Sequence, residues 1–332
     1  MPNIITHILF TDDVYEKLDD PKYDFLESRL QLMEVGGNGP DFLFFHNLNP
    51  TSFMKKTPLR KIGNEVHSRS INDFYASAVA SIQKEKDPEI RQDMMTYTCG
   101  HLCHWALDSI AHPYVFYRTG RCTGKSSWWH HRFESLIDAI MLKVKNDCTI
   151  SDFKAYETCE VSLEQARAIA RIYVPAIRNV YKVDVLPHQI LESLNDWCFV
   201  EKLFYDKKGT KFKISHSFEK VLRTESMISG FFVPDEPEDP FDTINLLHKE
   251  WVHPCDDTIK STESFFDLYD RAMLRAVEAI QLFYEACQDP DALQPFLDYL
   301  GDRSYDTGLS ESKEMKFFDW FIKTGASAPF FD

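Results

Sequence analysis

Residues 101–112 read HLCHWALDSIAH. His104, Asp108 and His112 recur there at steps of four, and His101 stands three residues before His104. In an α-helix those steps stack side chains on one face, with Cβ atoms ~5–6 Å apart. A solvent face has no use for stacked imidazoles, and a core face is ordinarily filled by Leu or Ile. The spacing predicts a helix over residues 89–111, ended by Pro113, whose polar face gathers nitrogen and carboxylate donors at one place.

Outward from this segment the punctuation is helical nearly throughout. PKYDFLESRLQLMEVGG (21–37) carries apolar residues at helical spacing and stops at Gly36 and Gly37. SINDFYASAVASIQKEKD (70–87) opens with Ser70 and Asp73 in the manner of a capping box. SSWWHHRFESLIDAIMLKVKND (126–147) has Ile137, Ile140, Met141 and Val144 as its apolar stripe. Ser162 and Gln165 open SLEQARAIARIYVPAIRNVY, with a kink expected at Pro175. Residues 187–205, 264–288 and 290–301 continue the pattern, and KFKIS (211–215) is the best strand candidate. The Pro- and Asp-rich stretch 229–257 reads as a long ordered loop or as the boundary of a C-terminal helical subregion. The expectation is an all-α, multi-helix bundle forming one domain over 1–332, with a metal cluster in the core between helices. The motifs that carry chemistry lie within 1–145, and 146–332 form a helical region of unassigned role.

Bulk properties narrow the function. Of 332 residues, 44% are apolar and 27% charged, ordinary for a globular chain, and 26 phenylalanines supply much of a core. No run of about 18 apolar residues predicts a transmembrane helix. The opening MPNIITHILFTDDVYEKLDD does not read as a signal peptide, so the expected location is cytoplasmic. A net charge of −15 argues against a nucleic-acid polymer as partner, unless bound divalent cations reverse the sign locally. Eight scattered cysteines contain no C-x-x-C pair, so neither a zinc ribbon nor a disulfide framework is expected.

Eight of the twelve histidines fall in the first 131 residues. His130 is followed four later by Glu134, with Asp138 one turn beyond, and upstream stand His7, Asp41 and His67. Imidazoles and carboxylates in this ratio suit zinc or another borderline divalent ion. Two helices that each present an H-x-x-x-[DE] pair can close such a site between them. Bland readings compete: a lone histidine is more often a satisfied core or surface residue, and a lone H-x-x-x-E is an ordinary helical pair. Phe44, Phe45, Trp128 and Trp129 suit either the core or a site entrance, and His46 and His253 suit structural roles.

GPD (39–41), GNEVHS (63–68), H-x-x-x-D-x-x-x-H-P (104–113) and H-x-x-x-E (130–134) together resemble the bacterial zinc-dependent phospholipase C family, which is related in fold to the fungal single-strand nucleases. The resemblance covers residues 1–145. It implies an all-α fold and two or three zinc ions. His67, His104, Asp108 and Asp41 match the ligands of one ion, and His112, His130 and Glu134 those of a second. His7, with Asp108 as a bridge, matches part of a third. The family completes that third site with an N-terminal tryptophan, whereas this chain begins Met1-Pro2-Asn3.

By the same resemblance Asp41 is the general base or water-orienting group of a phosphoester hydrolase, and His101, His131 and Asp138 stand beside the ligands. The implied substrate is a phospholipid or a small phosphoester. HD-type phosphohydrolases are set aside because no His-Asp dipeptide occurs. The alternatives are a non-catalytic metal-binding helical scaffold and a metal-free helical interaction protein. Oligomeric state is not readable.

Overall fold

The computed structural model describes residues 4–53, 55–222, 228–239 and 241–319. From the N-terminus, α1 (Ile4–Glu16), α2 (Leu30–Gly37), α3 (Leu59–Ser68) and α4 (Ile71–Lys84) lead to α5 (Pro88–Thr119), which contains the quoted stretch. After it come α6 (Lys125–Asn146), α7 (Leu163–Val180), α8 (Pro187–Phe204) and α9 (Thr210–Leu222). An antiparallel hairpin, β1 (Trp251–His253) and β2 (Asp256–Ser261), precedes α10 (Phe265–Gln288) and α11 (Leu293–Leu300). Helices account for 65% of the chain, and this hairpin is the one sheet among the described residues, so the fold is all-α.

The donor-bearing helix is the axis of the molecule. Asp87 starts α5 by accepting the amides of Glu89 and Ile90, and Pro88 fills the first turn, where its missing N–H is an orphan anyway. Every residue from Met94 to Phe116 is buried, so over this stretch α5 has no solvent face. α1, α2, α6, α7 and α10 pack around it. Gly36 and Gly100 set the closest crossing: a Cβ at Gly100 would stand 1.9 Å from the Met33 carbonyl oxygen, and one at Gly36 2.1 Å from that of Tyr97. α2 stops at Gly37, where the sequence marks its end at Gly36 and Gly37, and Gly36 is also part of this contact; the segment ahead of α2 is a 3₁₀ stretch (Pro21–Arg29).

Pro113 does not end the helix, which runs on to Thr119. Proline removes the donor that would serve the Ser109 carbonyl. Gly308 lies over that carbonyl, at φ +65 and with a Cβ position only 2.2 Å from the oxygen, so a C-terminal segment closes on the gap proline leaves. KFKIS belongs to α9, started by Asp206, which accepts the amides of Thr210 and Phe212. The strands lie in or beside the stretch read as a loop, whose Pro240 is outside the described residues. Ser70 does not cap α4: it is left-handed at φ 57, and Asp302 accepts the Asn72 amide at 2.9 Å in its place. The Ser162–Gln165 capping box is present on α7. Val144 of α6 is exposed, outside the apolar stripe expected of it. No described helix is long and apolar enough to cross a membrane.

Candidate metal centre

Four elements deliver donors to the buried face of α5. α1 brings His7, the turn after α2 brings Asp41, and the last turn of α3 brings His67; α5 supplies His104, Asp108 and His112. Asp108 is the hub. Its carboxylate lies 3.0 Å from His104 Nε2, 3.4 Å from His7 Nε2 and 3.5 Å from His112 Nε2. Asp41 Oδ1 stands 3.0 Å from His67 Nε2 and 3.8 Å from His104 Nε2. Two three-donor groups of metal-ligand spacing result, His7–His104–Asp108 and Asp41–His67–His104, sharing His104.

The rings are oriented from behind. His67 Nδ1 donates to the Gly63 carbonyl at 2.7 Å, His104 Nδ1 to that of Gly37 at 3.1 Å, and His112 Nδ1 to that of Tyr305 at 3.0 Å. A carbonyl only accepts, so each Nδ1 carries the hydrogen, and the only nitrogen left to offer a lone pair is Nε2, facing inward. The close α2–α5 crossing is what brings the Gly37 carbonyl within reach of His104. His130 on α6 is fixed the same way: Thr119 Oγ1 donates to Val115 O at 2.7 Å and therefore accepts from His130 Nδ1 at 2.8 Å.

Several of the inward atoms are close to one another without a hydrogen-bond partner. Both nitrogens of His7, both oxygens of Asp108, Nε2 of His112 and Oδ1 of Asp41 are buried with no hydrogen-bond partner. Leaving such atoms unmatched costs ~1–3 kcal/mol each, more when charged. Nε2 of His104 faces Nε2 of His67 at 3.5 Å, where two lone pairs repel unless a proton or cation serves both. Burial keeps His7, His112 and His130 below their ordinary values and thus neutral. Burial also opposes the charge on Asp108, but His104 and His112 beside it outweigh that and hold it well below the usual carboxylate range. Burial disfavours a charged His67 as well, yet Asp41 lifts it to about 9, so this pair attracts a positive charge. Imidazoles gathered around carboxylates are the donor set a divalent ion of borderline softness takes, and these residues fit one.

Other residues singled out by sequence have different surroundings. His130 Nε2 meets Glu134 Oε1 at 3.0 Å, but among the described residues no three-donor group contains His112, His130 or Glu134. The Phe116 ring lies against both His112 and His130, with centroids 5.6 and 4.9 Å away. Residues 1–3, where the family's third site would be completed, lie outside the described residues.

His101 turns away from the cluster, its Nδ1 2.8 Å from the Tyr75 hydroxyl and its Nε2 3.1 Å from that of Tyr173. His131 stacks on Phe231 at 4.0 Å, and burial pushes it down to about 3. Asp138 neither fixes a tautomer nor faces solvent. It accepts the amides of Ile5 and Thr6 and the Thr6 hydroxyl, at 3.0, 2.9 and 2.6 Å, and so caps the helix that carries His7. Trp128 and Trp129 are core, and Phe44 stacks on His67 at 5.4 Å. His46 is tied to Thr57 and Glu192, and His253 to Thr307 and Cys255.

Sequence reasoning missed the cover. Tyr305 donates its amide to the His67 carbonyl at 2.8 Å and offers its own carbonyl to His112, while Gly308 closes over Ser109. Asp306 between them is pushed up by burial, and it lies near enough to His67, Asp108 and Asp41 to feel each of them. No periodicity marks GDRSYDTGLS, and Asp306 in it has no histidine one turn away. Two cavities, of about 30 Å³ beneath the start of α1 and about 520 Å³ beside α9, are lined by none of these donors. Asp41, at 10% side-chain exposure, is the most outward donor of the two groups.

The fold and this cluster define a class: an all-α protein whose buried histidines and aspartates could hold a metal ion. Comparison of the chain with models of known families, with curated proteins and with solved structures found no match.

Proposed function

We propose that the chain is a metal-dependent phosphoester hydrolase, with zinc the preferred ion, akin to the phospholipase C family whose ligand order its motifs resemble. The supporting observation is the set of buried donor atoms around Asp108 that converge without hydrogen-bond partners, backed by histidines whose outer nitrogens are already committed. His104 would hold an ion either with His7 and Asp108 or with Asp41 and His67, since its one free lone pair, on Nε2, serves one group at a time. A divalent ion bound there supplies Lewis acidity, neutralising phosphoryl charge and lowering the pKa of water toward ~7. Asp108 is held well below the usual carboxylate range, and burial keeps His7 and His112 neutral, as metal ligands must be. Asp41, the most outward donor, orients the attacking water and takes its proton while the bond to the leaving alcohol breaks. The substrate is a small phosphoester or a phospholipid headgroup, since a net charge of −15 repels long polyanions.

The test is to strip the protein with a chelator, reload it with zinc and assay phosphodiesters and phosphomonoesters. The proposal expects zinc-dependent turnover that falls by about 10²–10⁴-fold in Asp41→Asn. Full metal binding with no turnover across a broad panel would overturn it. That outcome would favour the second reading, a metal held for stability, which draws on the near-complete burial of the donors beneath Tyr305 and Gly308. In that case chelation lowers Tm and there is no turnover to lose.

A further inference from the structure

α9 is turned inside out. Its inner face carries Phe212, His216 and Glu219: the His216 ring stacks between Phe212 and Trp128, with centroids 5.4 and 5.8 Å away, and Glu219 accepts the Ile228 and Ser229 amides. Its outer face carries Ile214, Phe218 and Val221, spaced four and three apart and exposed to 72, 64 and 80%. Three large apolar side chains standing this far out on one helix face are a patch that something covers.

The charge around that patch identifies the cover. Lys213 and Lys220 flank it on one side, Lys211 on the other, and Lys207 and Lys208 precede the helix; all five are exposed. The acidic residues of the same stretch are withdrawn. Asp206 is buried against the first amides of α9, and Glu219 is buried against Ile228 and Ser229. Burial, with Asp138 nearby, pushes Glu201 up to about 8, so it is uncharged at neutral pH. The exposed charges of α9 and of the turn before it are therefore all lysines, with Asp235 and Glu236 lining the cavity beside Lys207, Lys208 and Lys213, and apolar side chains project from the centre of the outer face. A second copy of the chain docked two-fold on this face would set lysines against lysines. Convex apolar side chains ringed by lysines, whose long stems reach outward to phosphates, match the boundary between headgroups and acyl chains.

We propose that α9 is an interfacial helix that seats this face of the protein on an anionic phospholipid surface. Ile214, Phe218 and Val221 enter the acyl boundary while the lysines meet headgroup phosphates. The packing of α9 on Trp128 sets the surface near His130 and Glu134, but the inference does not require a metal or any turnover.

The test is sedimentation of the full chain with phosphatidylserine-containing vesicles and, in parallel, with pure phosphatidylcholine vesicles. Binding is expected to the first, weakening with salt, and not to the second. Lys213→Glu with Lys220→Glu should weaken it by about tenfold or more, and Ile214→Ser with Phe218→Ser should release the protein. All four positions are exposed, and circular dichroism confirms that the variants remain folded. Failure to bind anionic vesicles, equal binding to both compositions, or variants that bind as wild type would each overturn the proposal. The first of these outcomes would point to an acidic protein as the occupant.

Discussion

A histidine serves a metal well when one ring nitrogen is committed elsewhere, and His67, His104 and His112 meet that condition through three backbone carbonyls. His101 is the counter-example on the same helix. It has the spacing of a ligand, yet both its nitrogens are engaged by tyrosine hydroxyls and burial keeps it neutral. His101→Ala should therefore lower stability by about 2–4 kcal/mol through a cavity and orphaned hydroxyls while leaving metal content unchanged. Chemical denaturation and elemental analysis of one preparation check both halves. Loss of metal in that variant would mean that the division between these histidines is wrong.

At the scale of elements, the cluster depends on how α1 and α2 are pinned against α5 and α6. Asp138→Ala removes three hydrogen bonds from the first turn of α1 and should cost about 2–3 kcal/mol, with metal affinity falling because His7 rides on that turn. A variant as stable as wild type would show that the cap holds nothing. Farther along α1, burial and the neighbouring Glu34 push Asp12 up to about 8. A carboxyl whose folded value lies above its unfolded ~3.9 binds more protons folded than unfolded in between, so its contribution is complete at low pH and is lost as pH rises toward 8. Asp12→Asn should flatten that decline and add ~1 kcal/mol near pH 8. Urea titrations across the range decide it, and an equally steep decline in the variant would exclude Asp12 as the cause.

These elements also show what a sequence can reveal. The helix of α5 and the nearness of His104, Asp108 and His112 were legible because both follow from a repeat of four within one element. Pro113 reads as a stop because the stop rule is local, whereas the freed Ser109 carbonyl is packed over by Gly308 from nearly two hundred residues away. Asp306 and Tyr305 were invisible for the same reason: their place over the cluster is set by the return of the chain, not by any spacing. Asp138 was noticed by periodicity, but its partners lie on another helix.

Across the whole molecule, a helix buried on every side from Met94 to Phe116 carries histidines and an aspartate at its centre, and that is costly unless the charges are matched. Around it the acidic surface is interrupted at α9, where the exposed charge is positive. The central claim is that the Asp108 cluster is matched by metal. The most direct test is elemental analysis of purified wild type beside a His104→Ala, Asp108→Ala double variant, each after incubation with zinc and removal of the excess. The account predicts at least one zinc ion per wild-type chain, because His104 has one free lone pair, on Nε2, to give to one of the two donor groups, and a sharp fall in the variant. A well-folded wild type with near-zero metal would contradict it, leaving HLCHWALDSIAH as polar packing in the core.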